Sequence, residues 1–203
     1  MKTFLFLFLF ARLSAQVDTI ITNPAYISYY SFKMKAPLLV KYHLIKGGGD
    51  CDRNKFHFKA EPFTAHDADY LHGGYDKGHL ADCEDFAYDC KLDELTFNYY
   101  NCFPQLPELN QGPWEELEIN VRKLSQTDSL IIFCGGFYGK HKIGAGKIAV
   151  PDTCWKIVYN VKLKTFQTGY LFANVRRPKA MPITIEVLNA LLKKRYGINI
   201  TKQ

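Results

Sequence analysis

No stretch of this chain is apolar for long enough to cross a bilayer, its six cysteines contain no Cys-x-x-Cys pair, and no internal repeat or low-complexity tract interrupts it. The first absence removes a transmembrane helix, since Phe4 to Phe10 supplies seven consecutive apolar residues where roughly twenty are needed. The second weakens any structural zinc site, which usually draws on closely spaced cysteines. The third leaves no seam at which to divide the chain, because Gly47-Gly48-Gly49 reads as a single turn and not as a hinge.

What is present begins with a leader. Lys2, the apolar run and small residues ending at Ala15 have the layout of a secretory signal peptide. Residues 1–15 are expected to be removed, giving a mature protein that starts at Gln16 and is secreted or periplasmic. Without Lys2 and Arg12, 24 basic residues face 20 acidic ones, a net charge of +4 in place of +6. Such a mild excess permits phosphate binding, which depends more on clustering than on the total. At 203 residues, 47% hydrophobic and 15% aromatic, the chain can bury a substantial core as one domain, residues 16–203. Export favours disulfides among Cys51, Cys83, Cys90, Cys102, Cys134 and Cys154, with Cys83–Cys90 the nearest local pair. A zinc alternative would recruit His79, Cys83, Cys90 and Cys102.

The alternation in residues 38–44 predicts a strand, and the apolar run 129–134 predicts a buried central one. Further strands are expected at 147–150, 154–161 and 166–172. From Pro113 to Leu124 the residues Trp114, Leu117, Val121 and Leu124 recur on one helical face, after a Gly112-Pro113 start. A second helix is expected from Thr184 to Tyr196, with Val187, Leu188, Leu191 and Leu192 inward, and with Gly197 as its stop. Strands and helices mixed without strict βαβ alternation indicate an α+β domain.

Three blocks carry chemistry. In Asp76-Lys77-Gly78-His79, a histidine follows a glycine and is flanked by a carboxylate and a lysine. Held on a turn, a neutral imidazole can act as a general base near neutral pH. Asn101-Cys102-Phe103-Pro104-Gln105 comes next, and Asn110-Gln111-Gly112-Pro113-Trp114-Glu115-Glu116-Leu117-Glu118 brings amides just ahead of an acidic helix. Mg²⁺ keeps most of its waters, so one amide oxygen with a nearby carboxylate is a sufficient protein contribution. Glu118 lies eight residues after Asn110, roughly 12 Å along a helix, too far for both to bind one ion directly. Its side chain is expected to hold a metal-bound water, and an orienting hydrogen bond is expected on the second ring nitrogen of His79.

These blocks, in this order, resemble the signature of the DNA/RNA non-specific endonucleases of the ββα-metal superfamily: Asp-Arg-Gly-His, then Asn-x-x-Pro-Gln, then Asn-x-Gly-x-Trp-x-x-Leu-Glu. Weaker similarity extends from Tyr29 and residues 35–42 to Val150-Pro151 and Trp155-Lys156. The resemblance implies a central antiparallel sheet flanked by helices, with a ββα-metal element that carries His79 on its hairpin and Asn110 at its helix. It implies Mg²⁺, with Mn²⁺ as a substitute, held directly by Asn110. It further implies water as the nucleophile, His79 as the base and 5′-phosphate products from DNA and RNA.

The same resemblance makes Asn101 a scaffold residue and Arg53 a phosphate contact. Each has a plainer alternative: Asn110 as a helix N-cap, Arg53 as a surface arginine, Glu118 as a solvated glutamate. The chain departs from the signature at Lys77, where arginine is usual, which keeps charge but loses the planar two-point grip on phosphate. It departs again at Asp82, where proline is common. Lys140, Lys142, Lys147, Arg176 and Arg177 are treated as solvated surface, and the many tyrosines and phenylalanines as core. Two rival functions remain, a non-catalytic nucleic-acid-binding module on the same fold and a phosphodiesterase for small nucleotides. A homodimer and an inhibitor protein stay open as partners.

Overall fold

The computed structural model describes residues 16–202, so the expected leader lies outside the described residues. The chain enters through a meander of β1 (Thr19–Thr22), β2 (Ile27–Ser31) and β3 (Ala36–Leu44). The segment after β3 holds a short helix α1 (Asp67–Tyr70), the strand β4 (Asp76–His79), the helix α2 (Cys90–Thr96) and the strand β5 (Cys102–Gln105). One turn of helix, α3 (Pro107–Leu109), leads through an irregular stretch, Asn110–Trp114, into α4 (Glu115–Leu124). The chain ends with β6 (Leu130–Ile143), β7 (Ile148–Asn160), β8 (Thr165–Phe166), β9 (Gly169–Ala173), β10 (Ala180–Ile183) and α5 (Ile185–Tyr196).

Eight of these strands form one antiparallel sheet in the order β1-β2-β3-β6-β7-β9-β10, with β8 also on β7. Two-residue periodicity splits its side chains between two cores. Val40, Tyr42, Ile132, Cys134, Cys154 and Val158 face the layer containing Leu80, Phe103, Trp114 and Val121. Leu39, Phe133, Phe137, Trp155 and Ile157 face Leu188, Leu192 and Tyr196 of α5. The sheet thus separates α5 from a layer built of α4 and the small antiparallel pair β4–β5.

The fold class is the expected α+β, with several elements redrawn. The two strands expected at 147–150 and 154–161 are one strand, β7, and the one expected at 166–172 is divided into β8 and β9. In α4, Trp114 and Val121 are buried and Leu117 and Leu124 partly so, as the periodicity requires. In α5 the cap at Thr184 and the left-handed Gly197 (φ +71°) lie where expected. Val187, however, points outward and is 53% exposed, because the face toward the sheet runs through Leu188, Asn189 and Leu192.

The disulfide is also a correction. Cys90 bonds Cys51, across 39 residues of sequence, and Cys83 is a buried free thiol. The pairing follows spatial proximity, since the irregular segment after β3 returns to α2, and a nearby cysteine in sequence lost to a nearer one in space. With Cys90 in a disulfide, the four-ligand zinc arrangement cannot form.

Candidate active site

The β4–β5 pair sets the site. Its register places Asp76 opposite Gln105, Gly78 opposite Phe103 and His79 opposite Cys102. Glycine is required at position 78 because a Cβ there would collide with the Gln105 side chain. Leaving the strand, Leu80 N bonds Asn101 O at 2.9 Å, and the Asn101 side chain clamps the next residue. Its Oδ1 accepts from Ala81 N, and its Nδ2 donates to Ala81 O and Thr96 O, all at 2.9 Å. Asn101 is completely buried, and its side-chain bonds tie the strand exit to α2.

His79 sits between two aromatic rings. Phe58 and Phe97 each lie 4.9 Å from the imidazole, centroid to centroid, the second edge-on. Among the described residues Nε2 is sealed away without a hydrogen-bond partner, so aromatic packing stands where the orienting hydrogen bond was expected. That leaves Nδ1 as the nitrogen available to the cavity. Burial pushes the ring pKa down to about 4, with Asp82 opposing and Arg53 and Lys77 reinforcing the shift. The imidazole is therefore neutral at pH 7, the form a base requires.

Asn110 does not cap α4. It closes α3 with helical dihedrals, and the backbone then breaks at Gln111 and Gly112 before Pro113 restarts the helix. Its Nδ2 donates to Asp76 Oδ2 at 3.0 Å, and Gln111 Nε2 donates to the same oxygen at 2.8 Å. A carboxylate only accepts, so the amide face turned to Asp76 must be the NH₂ and Oδ1 must point away from it. The kinked backbone and Asp76 together present a hard oxygen, the donor type Mg²⁺ prefers.

A cavity of about 440 Å³ collects these groups, lined by Arg53, His79, Asp82, Cys83, Glu84, Asn110, Gln111, Glu118 and Arg122 among others. Glu118 Oε1 accepts a bond from Lys156 Nζ at 2.7 Å. Burial and Asp82 push the Glu118 carboxyl upward, while the Lys156 ammonium bonded to it pulls the other way and favours the ionised pair. Arg53 reaches the cavity from the segment pinned by the Cys51–Cys90 disulfide, donating to Cys83 Sγ at 2.9 Å and pairing with Glu84. Burial pushes the Cys83 thiol upward, so it stays protonated beside that arginine.

Of the six residues singled out from sequence, Arg53, His79, Asn110 and Glu118 share this cavity. Asn101 stands behind it as a scaffold. Lys77 lies outside the lining, ion-paired with Asp67, and its ammonium is 5.0 Å from the Phe58 ring and 5.5 Å from Tyr99. Sequence reasoning passed over Arg122. One turn after Glu118 on α4, it donates Nε to Asp85 Oδ1 at 2.9 Å and pairs with Asp82. The four-residue spacing from Glu118 was the available signal. Asp82, in the place of the usual proline, caps the turn at residues 83–86 and anchors that arginine.

The family model for DNA/RNA non-specific endonucleases matches residues 11–196. The chain belongs to the DNA/RNA non-specific endonuclease family. Human mitochondrial endonuclease G is 29% identical over 159 residues, covering 66% of this chain and 52% of that protein. A nuclease of the cyanobacterium Nostoc is 38% identical over 90 residues, covering 44% of this chain and 33% of its own. A crystal structure of the EndoG/EndoGI complex superposes with a TM-score of 0.74 at 25% identity, covering 84% of this chain and 82% of that one. The chain spans about half the length of the curated endonuclease G proteins it matches. Membership of this family, with its metal-dependent nucleases, agrees with the antiparallel sheet and the ββα element of β4, β5 and α4. Among the described residues no helix is long and apolar enough to cross a membrane.

Proposed function

We propose that this chain is a Mg²⁺-dependent endonuclease that hydrolyses DNA and RNA without strong sequence preference, acting outside the cytoplasm after loss of residues 1–15. The reading rests above all on the meeting of a neutral His79, an Asn110 amide turned oxygen-outward by Asp76, and Glu118 around one cavity. Asn110 Oδ1 would hold the ion and the free Glu118 oxygen one of its waters. When bound, Mg²⁺ or Mn²⁺ supplies charge stabilisation at phosphorus and at the departing 3′ oxygen.

The protein's own groups account for the remainder. His79 Nδ1 takes a proton from the attacking water, and the two flanking phenylalanines fix the aim of the ring. Arg53, braced by Cys83 and Glu84, offers its guanidinium to the phosphate oxygens as charge builds. As the water oxygen bonds to phosphorus the P–O3′ bond breaks, so the phosphate stays on the 5′ side and the departing 3′ oxygen takes a proton from solvent to become a hydroxyl. Recognition through phosphate carries no direct sequence information, which fits indifference to base and sugar. Because a similar fold has been solved in an EndoG/EndoGI complex, an inhibitor protein is included among the proposed partners.

The test is incubation with duplex DNA, single-stranded DNA and RNA in Mg²⁺, followed by end analysis. Cleavage of all three to 5′-phosphate fragments is expected. Retarded but uncut DNA would favour a binding module, and turnover confined to small diesters would favour a nucleotide phosphodiesterase.

A further inference from the structure

Lys156 occupies the middle of the sheet, paired on β7 with Cys134 of β6 and Tyr170 of β9. It is only 1% exposed. Its neighbours on the same face, Cys154 and Val158, are core residues. Its ammonium rests 4.5 Å from the centroid of the Trp114 ring and, among the described residues, has one hydrogen-bond partner, Glu118 Oε1, at 2.7 Å. An apolar side chain would fill this slot at less desolvation cost, since buried ion pairs are often no more stabilising than hydrophobic replacements. The pair spans two layers of the molecule, joining the central sheet to the helix that bears the site.

Lys156 claims Oε1, while Glu118 still lines the cavity. The carboxylate is thus held from behind through Oε1 in a residue that lines the cavity. We propose that Lys156 is a positioning residue that locks the Glu118 carboxylate so that Oε2 faces the hydrated cation. This rests on the reading that Glu118 holds a metal-bound water. The ammonium acts through the Glu118 carboxylate alone. Loss of a group that orients a metal-binding side chain typically weakens metal affinity about 10–100-fold.

The experiment is Mn²⁺ binding by calorimetry at fixed pH on the full chain, for the wild type, Lys156→Met, Glu118→Gln and the double variant. Lys156→Met is expected to weaken Mn²⁺ about 10–100-fold, and to add nothing once Glu118→Gln is present. Wild-type affinity in Lys156→Met, with Glu118→Gln weakened, would overturn the role of Lys156 alone. An equal loss from Lys156→Met in both backgrounds would overturn it too, as the mark of a general packing effect. Unchanged affinity in Glu118→Gln would remove the Glu118 reading and this proposal together. Should Lys156→Met not fold, the wild-type protein still decides: the buried ammonium's ¹H–¹⁵N signal must shift as Mg²⁺ is titrated, and an unmoved signal refutes the coupling.

Discussion

Asp76 and Asn110 face one another across the junction of hairpin and helix, with the Asn110 Nδ2 3.0 Å from the Asp76 Oδ2. This contact fixes which end of the Asn110 amide faces away from Asp76. Asp76→Ala should therefore weaken Mn²⁺ binding about 10–100-fold with little change in the thermal midpoint, because Asp76 is not part of the core. Calorimetry and a thermal melt on the same sample check both halves. Full metal affinity in the variant would show that Asn110 is oriented by its kinked backbone alone.

The environment of His79 sets the pH dependence. Its folded pKa is about 4 against an ordinary 6.5, chiefly through burial. A base acts when neutral, so the acid limb of kcat/KM should lie well below pH 6.5 and move upward if Phe58→Ala or Phe97→Ala opens the ring to water. For stability the sign is the same: the unfolded state binds the extra proton between pH 6.5 and about 4, so stability is full above that window and falls as pH drops through it. A limb centred at or above pH 6.5 in the wild type would contradict the burial argument.

Arg53 and Lys77 should separate sharply. Arg53 lines the cavity and Lys77 does not. Arg53→Ala is expected to lower kcat/KM by about 10²–10³-fold, as for loss of one group that stabilises transition-state charge. Lys77→Ala removes a partly exposed pair with Asp67 and should cost less than about tenfold, exposed ion pairs being weak. Equal losses in steady-state assays would mean that Lys77 leaves Asp67 for the phosphate.

The Cys51–Cys90 bond closes a 39-residue separation that includes the Arg53 segment. Replacing both cysteines by serine should lower the unfolding free energy by about 2–4 kcal/mol and raise KM, since Arg53 would lose its anchor. Urea titrations and steady-state kinetics with and without reductant read the two effects. Unchanged KM in the reduced protein would show that Cys83 and Glu84 hold the arginine unaided.

The strands and the proline-bounded helix could be read from local pattern, whereas the site residues were picked out by three ordered blocks and the family signature they resemble. His79, Asn110, Glu118 and Arg53 reached one cavity from that reading. The buried face of α4 and both ends of α5 followed from periodicity and capping. What escaped depends on folding in space. Lys156 looks like any polar residue in a strand until α4 covers it, and Cys51 becomes the partner of Cys90 only when the segment after β3 returns to α2. The clasp of His79 by Phe58 and Phe97 joins residues about twenty positions away on either side of it in sequence, so no local motif could announce it. The Asp76–Asn110 bond is likewise a contact between two recognised blocks that neither block implies.

If His79 and Asn110 serve the same phosphate, removing either must stop cleavage. The most direct measurement is nicking of supercoiled plasmid by the wild type, His79→Ala and Asn110→Ala, each with Mg²⁺ and with EDTA. The wild type should cut only with the metal. His79→Ala should retain Mn²⁺ binding and lose about 10²–10⁴-fold in rate, whereas Asn110→Ala should lose both. Cutting by the wild type in EDTA, or undiminished nicking by either variant, would contradict the account.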